Sequence, residues 1–230
     1  NIRCIEAAVN QPFDEGLKTE TNLFMELLVG PQSRAQQHFF FAQREASKVP
    51  GIGAEVAERS IQKVGVIGAG TMGGGIAMCF ANAGIPVTVV EQTEEALERG
   101  LGLCRKNYEN SAKKGRMTEA QVEERMALLT GTTDMQTLAE VDLVIEAVFE
   151  NMALKHEITK ELEPCLAEGG VWGSNTSTLP ITQLAEASAN AENFIGIHFF
   201  SPVDKMPLVE IIMGENTSDL ALAKAFDYTK

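Results

Sequence analysis

The chain reads as a doubly wound α/β fold, a mostly parallel sheet with helices on both faces, preceded by a helical arm. Three observations predict it. From Lys63 onward, short runs of β-branched and aliphatic residues alternate with stretches of helical periodicity. The first of those runs passes directly into glycines spaced to open a helix. Residues 1–49 show helical pattern only.

In the arm, Ile5, Ala8 and Val9 begin a short apolar face, and Pro12 breaks it. Asp14 opens a second helix with Leu17, Phe24, Leu27 and Leu28 on its inner side, ended by Gly30-Pro31. Ser33 is expected to cap a third helix carrying Phe39, Phe40 and Phe41. Three adjacent aromatics cannot share one helix face, so at least one is expected to meet another domain or a partner surface. Pro50-Gly51 closes the arm, and residues 50–61 read as a linker.

The region 62–216 then alternates. Val64–Ile67 is a buried strand, and Thr71–Ala83 a helix stopped by Gly84. Val87–Val90 follows, with Pro86 at its start, where a missing N–H is tolerable. Thr93 caps a long helix with Glu94 and Glu95 in its first turn, ended by Gly115. Thr118 and Gln121 form a capping-box signal. Asp142–Val148 is a strand, and Asn151 caps a helix to about Leu166, which Gly169-Gly170 is expected to terminate. Val171–Ser174, Phe194–His198 and Leu208–Met213 are three more strands, and residues 217–230 start a further helix.

Composition narrows the function. The net charge is -13 over 230 residues. A surface so acidic repels phosphate backbones, which argues against nucleic acid as a partner. No apolar run reaches the roughly 20 residues of a membrane span. Cys4, Cys79, Cys104 and Cys165 form no paired motif and read as reduced thiols, and no metal-ligand spacing is present. The chain does not begin with Met, and its last residues read as a helix in progress, so both ends are expected to be cuts in a longer chain.

Gly68-Ala69-Gly70-Thr71-Met72-Gly73 fits G-x-G-x-x-G between a strand and a helix. Gly68 permits the tight turn, Gly70 lets main chain approach a pyrophosphate, and Gly73 lets helix and strand pack closely. Free N–H groups at the helix start, including those of Thr71 and Met72, are placed for the phosphates. Glu91 ends the second strand, 21 residues after Gly70. A carboxylate there accepts hydrogen bonds from ribose hydroxyls and repels a 2′-phosphate, so the cofactor expected is NAD. The bland alternative is a glycine-rich turn in another α/β fold, but strand, glycines, helix and acid are all in register.

The second half carries Ile145-Glu146-Ala147-Val148-Phe149-Glu150 with Lys155, then Ser174-Asn175-Thr176-Ser177, His198-Phe199-Phe200-Ser201-Pro202 and Leu208-Val209-Glu210. In this order, over residues 62–213, the set resembles the Rossmann NAD-binding domain of the 3-hydroxyacyl-CoA dehydrogenases. Residues 1–50 resemble the end of the hydratase part and the linker helix of multifunctional fatty-acid β-oxidation enzymes, through Phe13–Gly16, Pro31–Ala35 and Ala46-x-Lys48-Val49-Pro50.

The resemblance implies NAD-dependent oxidation of a (3S)-3-hydroxyacyl-CoA to a 3-ketoacyl-CoA. It implies His198 as catalytic base, Glu210 as its partner and Ser177 on the reacting oxygen. Ala147, Val148, Glu150 and Lys155 match positions at the cofactor site, the last two near the nicotinamide. Ser201 stands where single-function members have Asn, as in the multifunctional branch, and is a candidate substrate contact. Lys106, Lys113 and Lys114 occupy the general location of CoA contacts. The resemblance also implies hydratase and C-terminal helical domains outside this chain, with residues 217–230 leading to the latter. It implies a thiolase subunit as a candidate partner and an intracellular setting, in bacterial cytosol, mitochondrion or peroxisome. A chain without those domains is expected to bind NAD and turn over weakly, with no hydratase activity.

Chemistry supports the same roles. Removing a hydride from a carbinol carbon requires the hydroxyl proton to leave too, and a neutral imidazole is a suitable base near pH 7. A carboxylate beside it fixes the ring's tautomer. Each residue also has a plainer reading: His198 as a structural strand-end residue, Ser177 as the cap of a helix starting near Pro180, Lys113, Lys114 and Lys155 as helix-surface charges, His38 and His156 as structural. Two rival functions stay open, a non-catalytic nucleotide-binding or assembly module and a different Rossmann 3-hydroxy acid dehydrogenase. The latter uses a lysine base and has no place for a His-Phe-Phe-Ser-Pro strand end.

Overall fold

The computed structural model describes residues 1–49, 61–138 and 140–230. All but Ile61 of the linker expected at 50–61 lies outside them. The chain divides into two compact units, Asn1–Gly51 and Ile52–Lys230.

The first unit holds α1 (Ile2–Asn10), α2 (Phe13–Leu28) and α3 (Pro31–Ala46). Pro12 sits just before α2, where its missing N–H costs nothing, and Asp14 and Glu15 complement the dipole of the first turn. The cap of α3 is Gly30 with Pro31 as first helical residue, not Ser33. Proline's fixed φ suits that first position, so the helix starts three residues earlier than a serine cap would allow. The expected inner side of α2 is not buried: the helix has no buried residue, and Ala7 is the single buried one in the three helices. Three short helices of this composition do not enclose a core. Phe39, Phe40 and Phe41 are all exposed, with Phe40 and Phe41 edge to face and the Arg44 guanidinium over Phe40.

The second unit is built on a seven-stranded sheet. Its elements are β1 (Val64–Ile67), α4 (Thr71–Asn82), β2 (Val87–Val90), α5 (Glu94–Lys113), α6 (Glu119–Ala127), β3 (Leu129–Thr132), β4 (Val141–Glu146), α7 (Met152–Leu162), β5 (Leu166–Ser174), α8 (Ile181–Leu184), β6 (Phe194–Phe199), β7 (Val209–Met213) and α9 (Asp219–Thr229). Strand order is β3-β2-β1-β4-β5-β6-β7, parallel except for the antiparallel β6–β7 pair. The order reverses at β1, which lies between β2 and β4. In open α/β sheets a crevice opens there, at the carboxyl ends of the strands.

Alternation splits the core into two faces. Leu143 and Ile145 join Ile76, Phe80 and Tyr108 of α4 and α5 on one side. Val144 and Trp172 join Ile158, Leu162 and Leu184 of α7 and α8 on the other. Trp172 Nε1 is the only buried side-chain polar atom among the described residues without a partner. An unmade hydrogen bond of this kind costs about 1–3 kcal/mol. Full burial of an indole, with its large apolar area, offsets that. No helix among the described residues is long and apolar enough to cross a membrane.

In this second unit the sequence reading differs from the fold at two places. It missed β3, whose Leu-Thr-Gly-Thr sequence lacks the apolar alternation of a strand because it lies at the sheet edge. Gly131 leaves room there for the ends of the Leu97 and Leu101 side chains, the nearer of which a Cβ would meet at 2.7 Å. Second, α7 stops at Leu162, because Pro164 turns the chain into a single 3₁₀ turn, Glu163–Cys165. Gly169-Gly170 therefore lies inside β5, at a register shift against β4, with Gly169 at φ 71°. The plainer alternative for Ser177, a helix cap, is excluded, since no side chain caps α8, which Pro180 precedes.

Candidate functional site

The turn from β1 into α4 shows why each glycine is needed. Gly68 has φ 98°, in the left-handed region, and a Cβ on it would lie 2.9 Å from the Ala147 carbonyl oxygen. A Cβ on Gly73 would sit 1.8 Å from the Gly68 carbonyl oxygen. A Cβ on Gly70 would meet no protein atom within 4 Å, so the space before it is open. The start of α4 has no side-chain cap. The other helices of nine or more residues in this unit, α5, α6, α7 and α9, are each capped by a side chain. The first N–H groups of α4 are thus left for a ligand, with the positive end of the helix dipole behind them.

A cavity of about 800 Å³ opens on this turn. Gly70, Thr71 and Met72 line it from α4, Glu91 from the end of β2, and Val148 and Phe149 from beyond β4. Glu91 is aimed by main chain: its Oε2 accepts from Ala69 N–H at 2.9 Å and its Oε1 from Gln92 N–H at 2.9 Å. Each oxygen keeps a second lone pair for an outside donor.

At the carboxyl ends of β4 and β5 the site is made of side chains. Glu146, the last residue of β4, is 1% exposed. It accepts from Lys155 Nζ at 2.6 Å, Val148 N–H at 2.9 Å and Ser174 Oγ at 2.8 Å. Lys155 lies equally deep and also approaches Glu150 at 3.4 Å. Glu150 turns its other oxygen to the 176–178 turn, accepting from the Thr176 and Thr178 hydroxyls and the Ser177 and Thr178 N–H groups at 2.6–3.2 Å. Partial burial raises the Glu150 pKa, but these donors and the Lys155 charge outweigh it and hold the carboxyl at about 2.

The end of β6 faces β7. His198 and Glu210 are register partners across this antiparallel pair. His198 Nδ1 lies 2.9 Å from Glu210 Oε2. A carboxylate only accepts, so Nδ1 carries the hydrogen and Nε2 is the free basic nitrogen. The Asn175 side chain, just after β5, accepts from Phe199 N–H at 2.8 Å and ties the two strand ends together. Phe200 lies against the imidazole with ring centroids 4.7 Å apart.

The structure therefore brings Gly68, Gly70, Thr71, Met72, Glu91, Ala147 and Val148 to one cavity, with Gly73 packed beneath the turn. It joins His198 to Glu210 and Ser177 to Glu150. Lys155 lies buried, 2.6 Å from the Glu146 carboxylate, and neither it nor Glu150, Ser177, His198 or Glu210 lines the cavity itself. Lys106 lines the main cavity, whereas exposed Lys113 lies at a separate depression beside Glu109, Glu119 and Glu123. Lys114 and Ser201 are exposed, and a cis peptide bond joins Ser201 to Pro202. Sequence reasoning passed over Glu146, Phe149 and Asn175 as site residues. A charge ending the apolar run Leu143-Val144-Ile145 was the available signal for Glu146. Among the described residues no group of acidic, histidine or cysteine side chains is placed to hold a metal ion.

Residues 63–230 match the family model "3-hydroxyacyl-CoA dehydrogenase, NAD binding domain". The fatty acid oxidation complex subunit alpha of Shewanella baltica is 40% identical over all of this chain, and that of Shewanella halifaxensis is 40% identical over the same span. The chain spans about a third of the length of these relatives, 32% in each case. Among solved structures, FadB2 of M. tuberculosis superposes with a TM-score of 0.73 at 40% identity, covering 74% of this chain and 60% of that one. The (S)-3-hydroxybutyryl-CoA dehydrogenase PaaH1 of Ralstonia eutropha gives 0.70 at 39% identity, over 74% and 62%.

Proposed function

This chain belongs to the 3-hydroxyacyl-CoA dehydrogenase family through its NAD-binding domain, and we propose that it contributes the cofactor site and the acid–base pair for oxidising a (3S)-3-hydroxyacyl-CoA to a 3-ketoacyl-CoA. The observation that carries this reading is the 2.9 Å contact of His198 with Glu210, near the carboxyl end of β6, on the same edge of the parallel sheet as the end of β1 that opens into the glycine turn.

NAD fits the residues present. The open space at Gly70 and the uncapped start of α4 suit a pyrophosphate. The free lone pairs of Glu91 suit two ribose hydroxyls and disfavour a 2′-phosphate. Bound there, NAD supplies a hydride acceptor. In the oxidation direction His198 Nε2 takes the substrate hydroxyl proton as the carbinol C–H bond breaks, and the C–O bond becomes a carbonyl. Glu210 holds the ring in the Nδ1–H tautomer and stabilises the imidazolium that forms. Ser177, held by Glu150, is assigned to the reacting oxygen. Lys106, at the cavity, is better placed for the anionic CoA moiety than Lys113 or Lys114, which face acidic neighbours or solvent.

A 3-ketoacyl-CoA is the natural substrate for thiolytic cleavage, so a thiolase subunit is the partner we infer. Acyl-CoA and NAD as ligands put the protein inside the cell. The test is titration with NADH and NADPH, since every contact invoked belongs to this chain. We expect NADH to bind at least about tenfold tighter, the scale of one charge-assisted contact. Equal affinity, or no binding, overturns the cofactor assignment. Reduction of acetoacetyl-CoA by NADH, abolished by His198→Gln with NADH affinity retained, tests the chemistry.

A further inference from the structure

Beneath the cavity lies an ion pair that the chemistry above does not use. Glu146 and Lys155 are each about 2% exposed or less and 2.6 Å apart. A buried pair contributes little net stability, because desolvation consumes most of the attraction. This one is built into the site's geometry instead. Glu146 Oε1 holds the N–H of Val148, which lines the cavity. Its Oε2 holds Ser174, the residue before Asn175, which in turn fixes the strand end beside His198. Lys155 is shared unequally, at 2.6 Å from Glu146 and 3.4 Å from Glu150. The two oxygens of Glu150 are divided as well: Oε2 faces Lys155, while Oε1 takes every bond from the 176–178 turn.

We propose that Glu146 is a positioning residue: by holding Lys155 off Glu150 it keeps the Ser177 turn in place, and by its bond to Val148 N–H it keeps that residue in place at the cavity wall, on the side where the family resemblance puts the nicotinamide. The inference rests on the NAD-dependent reading above. If the Glu146 charge is removed, Lys155 has one carboxylate left, and Glu150 is drawn away from the turn it organises. Glutamine at 146 can still accept from Lys155 and Val148 and meet Ser174, so Glu146→Gln changes charge while keeping shape and hydrogen-bonding capacity. Glu146→Asp is the converse: it keeps the charge that holds Lys155 and gives up the shape.

The experiment titrates the chain and its variants with NADH and with ADP, which reports on the adenosine half alone. For Glu146→Gln we expect ADP affinity within about twofold of wild type and NADH affinity lower by about tenfold, the scale of losing charge-assisted contacts. Glu146→Asp should keep most of the NADH affinity, whereas a purely structural role would make the shorter aspartate worse than the isosteric glutamine. If Glu146→Gln fails to fold, Ser174→Ala, which deletes one bond to Glu146, should weaken NADH by about threefold and leave ADP unchanged. Wild-type chain that binds neither ligand overturns the dinucleotide reading and this inference together. With wild-type binding intact, the inference alone is overturned if Glu146→Gln loses both ligands equally or loses neither, or if Glu146→Asp binds NADH no better than Glu146→Gln.

Discussion

At the carboxyl ends of its strands the two halves of the sheet are built of different materials. On the β2–β1 side the contacts are main chain: a glycine at φ 98°, an uncapped helix start and a carboxylate itself aimed by backbone N–H groups. On the β4–β7 side they are side chains: a buried Glu–Lys pair, a carboxylate with five donors on one oxygen, and a His–Glu pair across two strands. The first arrangement suits a ligand part of fixed shape and charge, which asks only for geometry. The second suits a centre where a proton moves, because side chains hold and release protons and peptide groups do not. Binding and chemistry should therefore fail separately.

The sharpest separation comes from His198→Gln. Loss of a general base lowers turnover by about 10²–10⁴. The substitution leaves the glycine turn untouched, so NADH affinity should stay within about twofold, well under the scale of one lost contact. Acetoacetyl-CoA reduction and NADH titration on the same preparation measure both. A parallel fall in affinity would break the division.

On the main-chain side the matching variant is Gly73→Ala. Its Cβ would lie 1.8 Å from the Gly68 carbonyl oxygen, and neither backbone segment can move without disturbing the turn. Overpacking of this kind costs about 3 kcal/mol. At roughly 2–4 °C per kcal/mol, melting should fall by on the order of 10 °C. ADP and NADH should weaken together, unlike the pattern expected for Glu146→Gln. Gly70→Ala, with no protein atom in the way, should keep its melting temperature and lose affinity only.

This contrast also explains what could be read from residue order. Main-chain sites leave a local trace, because the glycines must be spaced to fit one turn, and Gly68, Gly70, Gly73 and Glu91 fell where the spacing predicted. Side-chain sites are assembled from distant strands. The His198–Glu210 contact was anticipated because adjacent strands place register partners together, and the structure pairs these two residues directly. The Glu146–Lys155 pair was not, because nothing in a helix's periodicity says that one of its lysines turns inward to a strand end. β3 escaped for a related reason: an edge strand needs no apolar alternation. Lys113 and Lys114 looked equivalent to Lys106 in the sequence, and only packing separated them.

Glu91→Gln probes the boundary between the two modes, since Glu91 is a side chain oriented by the loop. Glutamine still accepts from Ala69 N–H, so folding should hold. Without the charge, repulsion of a 2′-phosphate weakens, and the preference for NADH over NADPH should narrow by about tenfold. An unchanged ratio would mean that cavity shape, not charge, selects the cofactor.

The smallest effect expected is in acid stability, and it tests whether the side-chain half is held electrostatically. Glu150 titrates at about 2 in the folded chain, against an ordinary value near 4.5. A depressed carboxylate stabilises the fold fully above its unfolded pKa, and that contribution fades as pH falls from about 4.5 to about 2. The Glu150 side chain is 34% exposed, so solvent screening keeps the contribution modest. Glu150→Gln cannot ionise and should lose this pH dependence. Urea midpoints for wild type and variant should differ at about pH 6, and the gap should be clearly smaller at about pH 3. If the gap is the same at both values, hydrogen bonds that glutamine cannot replace account for the role of Glu150. The charge balance between Lys155 and its two carboxylates would then have no part in shaping the turn.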